Sequence, residues 1–118
     1  MRNNIKAVFL DRDGVINRYP GDTRYVTSWK EFCFLPGVRK ALAQLTKHGY
    51  KIFVISNQAG VGKGLYSKDD LQFLTTRMLQ EIKRTGGNIE KVYYCTHRKE
   101  INCSCRKPKI GMITRIRK

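Results

Sequence analysis

The stretch Val8-Phe9-Leu10-Asp11-Arg12-Asp13-Gly14 places two carboxylates, one residue apart, directly after an apolar segment. Residues 5–10 are nearly all apolar, which is typical of a strand buried on both faces of a parallel sheet. Ligands of such sheets bind just beyond the carboxyl ends of the strands. There, Asp11 and Asp13 can hold a hard cation such as Mg²⁺, or one can attack phosphorus while the other transfers protons. Taken alone, the pattern also fits a solvated acidic turn.

Length and charge restrict the class of protein. A chain of 118 residues with 41% apolar residues suits one small domain, spanning 1–118. The net charge of +15 favours anionic partners such as phosphorylated metabolites, nucleic acid or an acidic membrane surface, although a generic basic surface explains it equally well. No apolar run approaches the roughly 20 residues of a membrane-spanning helix. Because the N-terminus also lacks a signal-peptide pattern, we expect a cytoplasmic protein.

Strand-like and helix-like segments alternate along the chain, which predicts an α/β fold with a parallel sheet. An irregular segment over 15–34 is expected to form a loop or small flap. The glycine-rich stretch 56–64 reads as a loop after the second strand. The expected strands are 5–10, 50–55 and 91–95. The first expected helix begins after Pro36-Gly37 and ends at His48-Gly49. The second begins at the capping box of Ser67 and ends at Gly86-Gly87.

The sequence Cys95-Thr96-His97 is followed, five residues later, by Cys103-Ser104-Cys105. Three thiolates and one imidazole match a closed tetrahedral zinc site, which has no open position and is therefore structural. In a reducing compartment metal binding is favoured over disulfides. The alternative is a set of free thiols in a surface loop.

Several polar residues near the predicted strand ends can bind phosphate. Ser56 offers a hydroxyl, Asn57 an amide and Lys63 a charge, although a turn or helix cap explains Ser56-Asn57 alone. Arg106 and Lys107 follow the zinc candidate directly, so a bound metal would fix their direction. The alternative for this pair is a generic basic turn.

Five stretches resemble phosphatases of the haloacid dehalogenase superfamily, in the branch of histidinol-phosphate and heptose-bisphosphate phosphatases. The superfamily shares the Asp-x-Asp-Gly motif, whereas its combination with the zinc loop is specific to this branch. Two departures are Ser56, where the family usually has Thr, and Lys63, where it often has Arg. The matching stretches are 9–17, 34–38, 55–58, 93–97 and 103–109.

The resemblance implies a three-layer, Rossmann-like sheet and a mechanism with an aspartyl-phosphate. Asp11 would be the nucleophile and Asp13 the general acid and then base, and both would bind a catalytic Mg²⁺. Ser56 and Lys107 would stabilise the phosphoryl group. The flap between residues 17 and 32 would cover a phosphorylated sugar. The residues expected to contact substrate are Arg12, Asn57, Gln58, Lys63 and Arg106, and those expected to hold structural Zn²⁺ are Cys95, His97, Cys103 and Cys105.

One part of the family pattern does not occur in the sequence. The family carries a fourth motif, Gly-Asp-x-x-x-Asp, that supplies another Mg²⁺ carboxylate, and nothing after Met112 provides it. We therefore expect a domain that is incomplete at the C-terminus, weaker Mg²⁺ binding, weak or absent activity of this chain, and an exposed sheet edge that permits self-association.

Three other functions stay open at the level of sequence. They are a histidinol-phosphate phosphatase, a polynucleotide 3′-phosphatase that would explain the basic charge, and a non-catalytic zinc-stabilised binding module.

Overall fold

A parallel sheet is the frame of the molecule. The computed structural model of the chain describes residues 6–21 and 24–96, and these residues form three strands in the order β1-β2-β3. They are β1 (Lys6–Leu10), β2 (Tyr50–Asn57) and β3 (Ile89–Cys95), and both neighbouring pairs run parallel. The predicted α/β class and parallel sheet are confirmed.

The helices of the described residues begin where local chemistry favours a start. Ser67 accepts a hydrogen bond from the backbone N–H of Asp70 at 3.0 Å, and Asp70 accepts one from the N–H of Ser67 at 3.0 Å, so the predicted capping box is present. Gly37 precedes the first helix with a φ of 78°, a conformation that glycine adopts without steric cost. The helices are α1 (Val38–Lys47), α2 (Ala59–Gly62) and α3 (Lys68–Arg84), with a 3-10 turn at Trp29–Glu31.

The core lies between the sheet and the two longer helices. The order of the strands across the sheet is the same as their order in the chain, β1-β2-β3. Because crossovers between parallel strands are right-handed, this order places α1 and α3 on the same face of the sheet. In agreement, α1 packs against both β2 and α3. The buried core side chains come from the flap, α1, β2 and α3: Ile16, Val26, Phe32, Leu42, Ile52, Val54, Leu74, Met78 and Ile82.

The prediction that β1 is buried on both faces is wrong for the described residues. Phe9 is 41% exposed, and its ring stacks on that of Phe53 with centroids 5.4 Å apart. Phe9 and Phe53 are partners in the β1–β2 register and alternate with Ile52 and Val54, which point into the core. Because both packed helices lie on the core side, the described part of the chain leaves the other face of β1 exposed.

Two further differences concern the segment after β2. The strand continues to Asn57, two residues beyond the predicted end, so Ser56 lies in the strand and not in a loop. The glycine-rich stretch then forms the short helix α2, in which the N–H of Lys63 donates to the carbonyl of Ala59 at 3.0 Å. Glycine is a poor helix former, and packing of Gly60 against the rings of Tyr25 and Tyr66 overrides that preference.

Within the described residues, every helix is too short or too polar to span a lipid bilayer.

Candidate active site

The carboxyl ends of β1 and β2 meet at one cavity of about 300 Å³. Asp11 and Asp13 follow β1, whereas Ser56 and Asn57 are the last two residues of β2. All four line the cavity, because neighbouring parallel strands end at the same edge of the sheet. The structure therefore brings together the predicted nucleophile, the predicted acid and two of the predicted phosphate ligands.

Part of the cavity lining comes from the irregular segment after β1. Its contributions are Tyr19, Pro20, Gly21, Arg24 and Tyr25. The ammonium of Lys63, an exposed residue that follows α2, lies 5.6 Å from the centroid of the Tyr25 ring. Lys63 is thus a neighbour of the cavity wall.

The carboxylate of Asp13 accepts four hydrogen bonds from side chains. Its Oδ1 accepts from Arg12 Nε at 3.0 Å, from Arg12 Nη2 at 2.9 Å and from Asn17 Nδ2 at 2.9 Å. Its Oδ2 accepts from Gln58 Nε2 at 3.1 Å. Because Oδ1 is saturated, a proton on this carboxyl group has to reside on Oδ2.

The carboxylate of Asp11 has a different environment. Its Oδ1 accepts a hydrogen bond from the backbone N–H of Arg12 at 2.8 Å, and the residue is half-buried at the cavity. Four side-chain hydrogen bonds thus hold Asp13, and the backbone of the turn contributes to the orientation of Asp11.

Arg12 was expected to contact substrate, and the structure corrects that expectation. The side chain is fully buried, and Nη1 donates to the hydroxyl of Tyr94 at 3.3 Å. The guanidinium also lies near the ring centroids of Phe32 (6.0 Å) and Tyr94 (5.6 Å). Burial alone would lower the pKa of Arg12, but Tyr94 and Asp13 raise it above its ordinary value. Arg12 is therefore a permanent buried cation that holds Asp13.

Gln58 was also expected to contact substrate, and it too is fully buried. Its Nε2 donates to Ser56 Oγ at 3.0 Å as well as to Asp13, and its Oε1 accepts from the hydroxyl of Tyr66. Because the amide is fully buried and the protein uses both of its N–H groups, Gln58 has no donor left for a ligand.

Three residues that hold this site together have no role in the sequence-based prediction: Asn17, Tyr66 and Tyr94. Tyr94 bonds to Arg12 and to the hydroxyl of Thr75, the latter at 2.8 Å. Asn17 and Tyr94 lie within the matching stretches 9–17 and 93–97, but the stretches do not state which side chains these residues contact. Tyr66 and Tyr94 reach the site through packing of distant segments, which composition and spacing do not reveal.

The predicted zinc site and cationic arm fall mostly outside the described residues, namely His97, Cys103, Cys105, Arg106 and Lys107. Cys95 is described: it ends β3, is fully buried and is disulfide-bonded, which differs from the expected thiolate. In residues 6–21 and 24–96 no group of three or more His, Cys, Asp or Glu side chains is placed to hold a metal ion.

The chain is similar to a known protein family and to several characterised phosphatases. Residues 6–118 match the family described as polynucleotide kinase 3 phosphatase. A D-glycero-beta-D-manno-heptose-1,7-bisphosphate 7-phosphatase of Helicobacter pylori is 40% identical over 94% of this chain and 63% of its own length. A D-glycero-alpha-D-manno-heptose-1,7-bisphosphate 7-phosphatase of Campylobacter jejuni is 39% identical over 92% of this chain and 60% of its own length.

A crystal structure with the same architecture is the D,D-heptose 1,7-bisphosphate phosphatase of B. bronchiseptica, complexed with magnesium and phosphate. It superposes with a TM-score of 0.89 at 34% identity and covers 95% of this chain and 62% of its own. A HAD-like phosphatase of Mesorhizobium loti superposes with a TM-score of 0.82 at 25% identity. The chain thus spans about three fifths of the length of the curated relatives it matches.

Proposed function

The chain belongs to the polynucleotide kinase 3 phosphatase family, with relatives and structural neighbours of the haloacid dehalogenase type, and from that premise we propose that it hydrolyses a sugar phosphate. The substrate we propose is D-glycero-D-manno-heptose 1,7-bisphosphate, with loss of the phosphate at C7. The names of the relatives support this choice, and they include enzymes for both the alpha and the beta anomer. The observation that carries the proposal is the meeting of Asp11, Asp13, Ser56 and Asn57 at one cavity.

The reaction has two halves. In the first, a carboxylate oxygen of Asp11 attacks phosphorus, the bond from phosphorus to the sugar oxygen breaks, and Asp13 donates a proton to that oxygen. In the second, Asp13 takes a proton from a water molecule that attacks the same phosphorus, which releases phosphate and regenerates Asp11. The different environments of the two carboxylates suit two different roles.

The donor set at the cavity fits Mg²⁺, which prefers carboxylate oxygens to nitrogen or sulfur. We propose that a carboxylate oxygen of Asp11 and the backbone carbonyl oxygen of Asp13 bind the ion, because both side-chain oxygens of Asp13 are engaged by hydrogen bonds. When bound, Mg²⁺ would supply positive charge beside the phosphoryl oxygens.

The phosphoryl group needs further stabilisation from the chain itself. We assign this role to the hydroxyl of Ser56 and the amide of Asn57, both at the cavity, and to Lys107, which lies outside the described residues. Lys63 and Arg106 are assigned to the remainder of the substrate. Preorganised donors of this kind are the main contribution of a protein to phosphoryl transfer.

We further propose that the reduced chain binds one structural Zn²⁺ through Cys95, His97, Cys103 and Cys105. Metal analysis and thiol titration of chain purified with a reductant test this. One zinc per chain, lost when Cys95→Ser is introduced, supports the site, whereas a metal-free chain with cysteines consumed as disulfide contradicts it.

The proposed activity is tested by phosphate release from heptose 1,7-bisphosphate with Mg²⁺ present. We expect release that Asp11→Asn reduces by about 10³-fold or more. Asp69→Asn is the matched control, because Asp69 is an exposed acid in the first turn of α3. Release that persists in Asp11→Asn would contradict the nucleophile assignment.

A second candidate function is removal of a 3′-phosphate from a polynucleotide. Two observations favour it, namely the description of the matching family and the net charge of +15. Equal concentrations of heptose bisphosphate, histidinol phosphate and a 3′-phosphorylated oligonucleotide separate the candidates by kcat/KM. A folded chain that hydrolyses none of them would instead support a non-catalytic binding module.

A further inference from the structure

A line of buried hydrogen bonds connects Tyr66 to two groups of the cavity. The hydroxyl of Tyr66 donates to Gln58 Oε1, and Gln58 Nε2 donates to both Ser56 Oγ (3.0 Å) and Asp13 Oδ2 (3.1 Å). Tyr66 is 7% exposed and Gln58 is fully buried, so neither side chain has room for a ligand. Both side chains therefore act on the cavity only through the groups they contact.

The direction of these bonds excludes one position for the Ser56 proton, the side occupied by Gln58 Nε2. A serine hydroxyl has one proton, and here its oxygen already accepts from Gln58. The Ser56 O–H is consequently free to donate elsewhere, and Ser56 lines the cavity. This is the direction that a phosphoryl oxygen in the cavity requires.

That direction depends on the orientation of the Gln58 amide. The oxygen and nitrogen of an amide are nearly equal in size, so hydrogen-bond partners alone decide which one faces Ser56 and Asp13. If the amide turned over, Oε1 would accept the Ser56 proton and withdraw it from the cavity. The same turn would remove the donor from Asp13 Oδ2, the oxygen that has to carry the acid proton.

The carboxylate of Asp13 can only accept, so it requires Nε2 on its side of the amide, and Tyr66 holds that orientation from the other side by donating to Oε1 from a rigid position. Its ring packs on Tyr25 with centroids 5.9 Å apart, and it lies so close to Gly60 that a side chain at that position would collide with it. Burial raises the pKa of Tyr66, so its hydroxyl remains a proton donor at neutral pH.

We propose that Tyr66 is a positioning residue that acts through Gln58, directing the Ser56 proton into the cavity and fixing Oδ2 of Asp13 for proton transfer. This inference rests on the proposed phosphatase function for its kinetic consequence. Its structural consequence, the fixed amide of Gln58, stands independently of any turnover.

The first experiment observes the amide directly. Side-chain NMR signals of Gln58 are assigned from their loss in Gln58→Met and are compared in the wild-type chain, Tyr66→Phe and Tyr50→Phe. Tyr50 is the matched control because it lies at the other end of β2. We expect slowly exchanging, shifted amide protons in the wild type and in Tyr50→Phe, and loss of both properties in Tyr66→Phe. Unchanged signals in Tyr66→Phe would overturn the proposal.

The second experiment compares two leaving groups. An aryl phosphate with an acidic phenol leaves without help from a general acid, whereas an alkyl sugar phosphate needs one. We expect Tyr66→Phe to slow phosphoryl transfer from the sugar phosphate about 10-fold to 100-fold in pre-steady-state measurements. Steady-state measurements should show little change in KM. Transfer from the aryl phosphate should be slowed clearly less than transfer from the sugar phosphate. A merely structural defect would slow both substrates equally, and that result would contradict the proposal.

A double variant tests whether Tyr66 acts through Gln58. The losses in Gln58→Met and in Tyr66→Phe/Gln58→Met should be equal, because without the amide the tyrosine hydroxyl has nothing to orient. Additive losses would overturn the assignment. If the wild-type chain hydrolyses neither phosphate, the proposed function fails, and the NMR comparison still decides the role of Tyr66.

Discussion

Two regions of the site differ in what their residues can do. The cavity face, formed by Asp11, Asp13, Ser56 and Asn57, carries groups that can act on a phosphate ester. The buried wall, formed by Arg12, Gln58, Tyr66 and Tyr94, carries groups that contact the cavity face or each other. Reactive and positioning roles are therefore divided between neighbouring residues, even within the motif Asp11-Arg12-Asp13. Changes in the two regions should consequently differ in their effects on activity and on stability.

The largest expected effect is that of Asp13→Asn, at the boundary of the two regions. Asparagine keeps the shape of the side chain but cannot donate or take up the transferred proton, so kcat on the sugar phosphate should fall by about 10²-fold to 10⁴-fold. Steady-state kinetics measure the change. A kcat within threefold of wild type would show that Asp13 is not the general acid and base.

Arg12→Ala tests the buried wall. It removes a cation that pairs with Asp13 at 2.9 Å and leaves that carboxylate short of two hydrogen bonds. Breaking a buried pair costs about 3–5 kcal/mol, and we expect the lower end because the Asp13 side chain is 17% exposed. Denaturant unfolding measures the difference.

The neighbouring Arg18→Ala is the matched control, since Arg18 is exposed. Equal stability losses in the two arginine variants would show that Arg12 is not part of the buried wall.

Gly60→Ala tests the packing that holds Tyr66. The added methyl group would collide with the ring of Tyr66 and crowd that of Tyr25, so the free energy of unfolding should fall by about 1–3 kcal/mol. Combining it with Tyr66→Leu, which removes the ring, should cost less than the sum of the two single changes. Full additivity would contradict the packing described.

The smallest effect is expected far from both regions. Ser67→Ala removes the N-cap of α3 and should lower the free energy of unfolding by about 1 kcal/mol without changing kcat. Ser28 precedes the 3-10 turn, and its side chain accepts no capping hydrogen bond and makes only a long, exposed one to Glu31 at 3.5 Å, so Ser28→Ala is the control variant. A change in kcat with Ser67→Ala would show that the N-cap of α3 affects the site as well as the stability of the fold.

The cavity face could be predicted from the sequence, and the buried wall could not. Asp11 and Asp13 follow an apolar strand, and Ser56 and Asn57 follow another, so a general rule for parallel sheets brings them together. Arg12 and Gln58 were recognised as members of the same motifs but given the wrong role, because a motif does not state which way a side chain points.

The contacts of the wall join residues far apart in the chain. Arg12 and Tyr94 are 82 positions apart, and Gln58 and Asp13 are 45 positions apart. Partners of this kind depend on how Tyr94 of β3 and Gln58 after β2 are placed relative to the turn after β1, which no local pattern encodes. The same reason explains β1, whose apolar residues predicted burial on two faces while the described helices cover only one.

The central claim is that Asp11 becomes phosphorylated, and mass spectrometry tests it most directly. Chain mixed with substrate and Mg²⁺ is quenched in acid and cleaved with trypsin, which separates Asp11 in peptide 7–12 from Asp13 in peptide 13–18. We predict a phosphoryl group on peptide 7–12 that is absent in Asp11→Asn and that, with an aryl phosphate whose leaving group needs no acid, accumulates further in Asp13→Asn. A phosphoryl group on peptide 13–18, or turnover with no labelled peptide in either chain, would contradict the account.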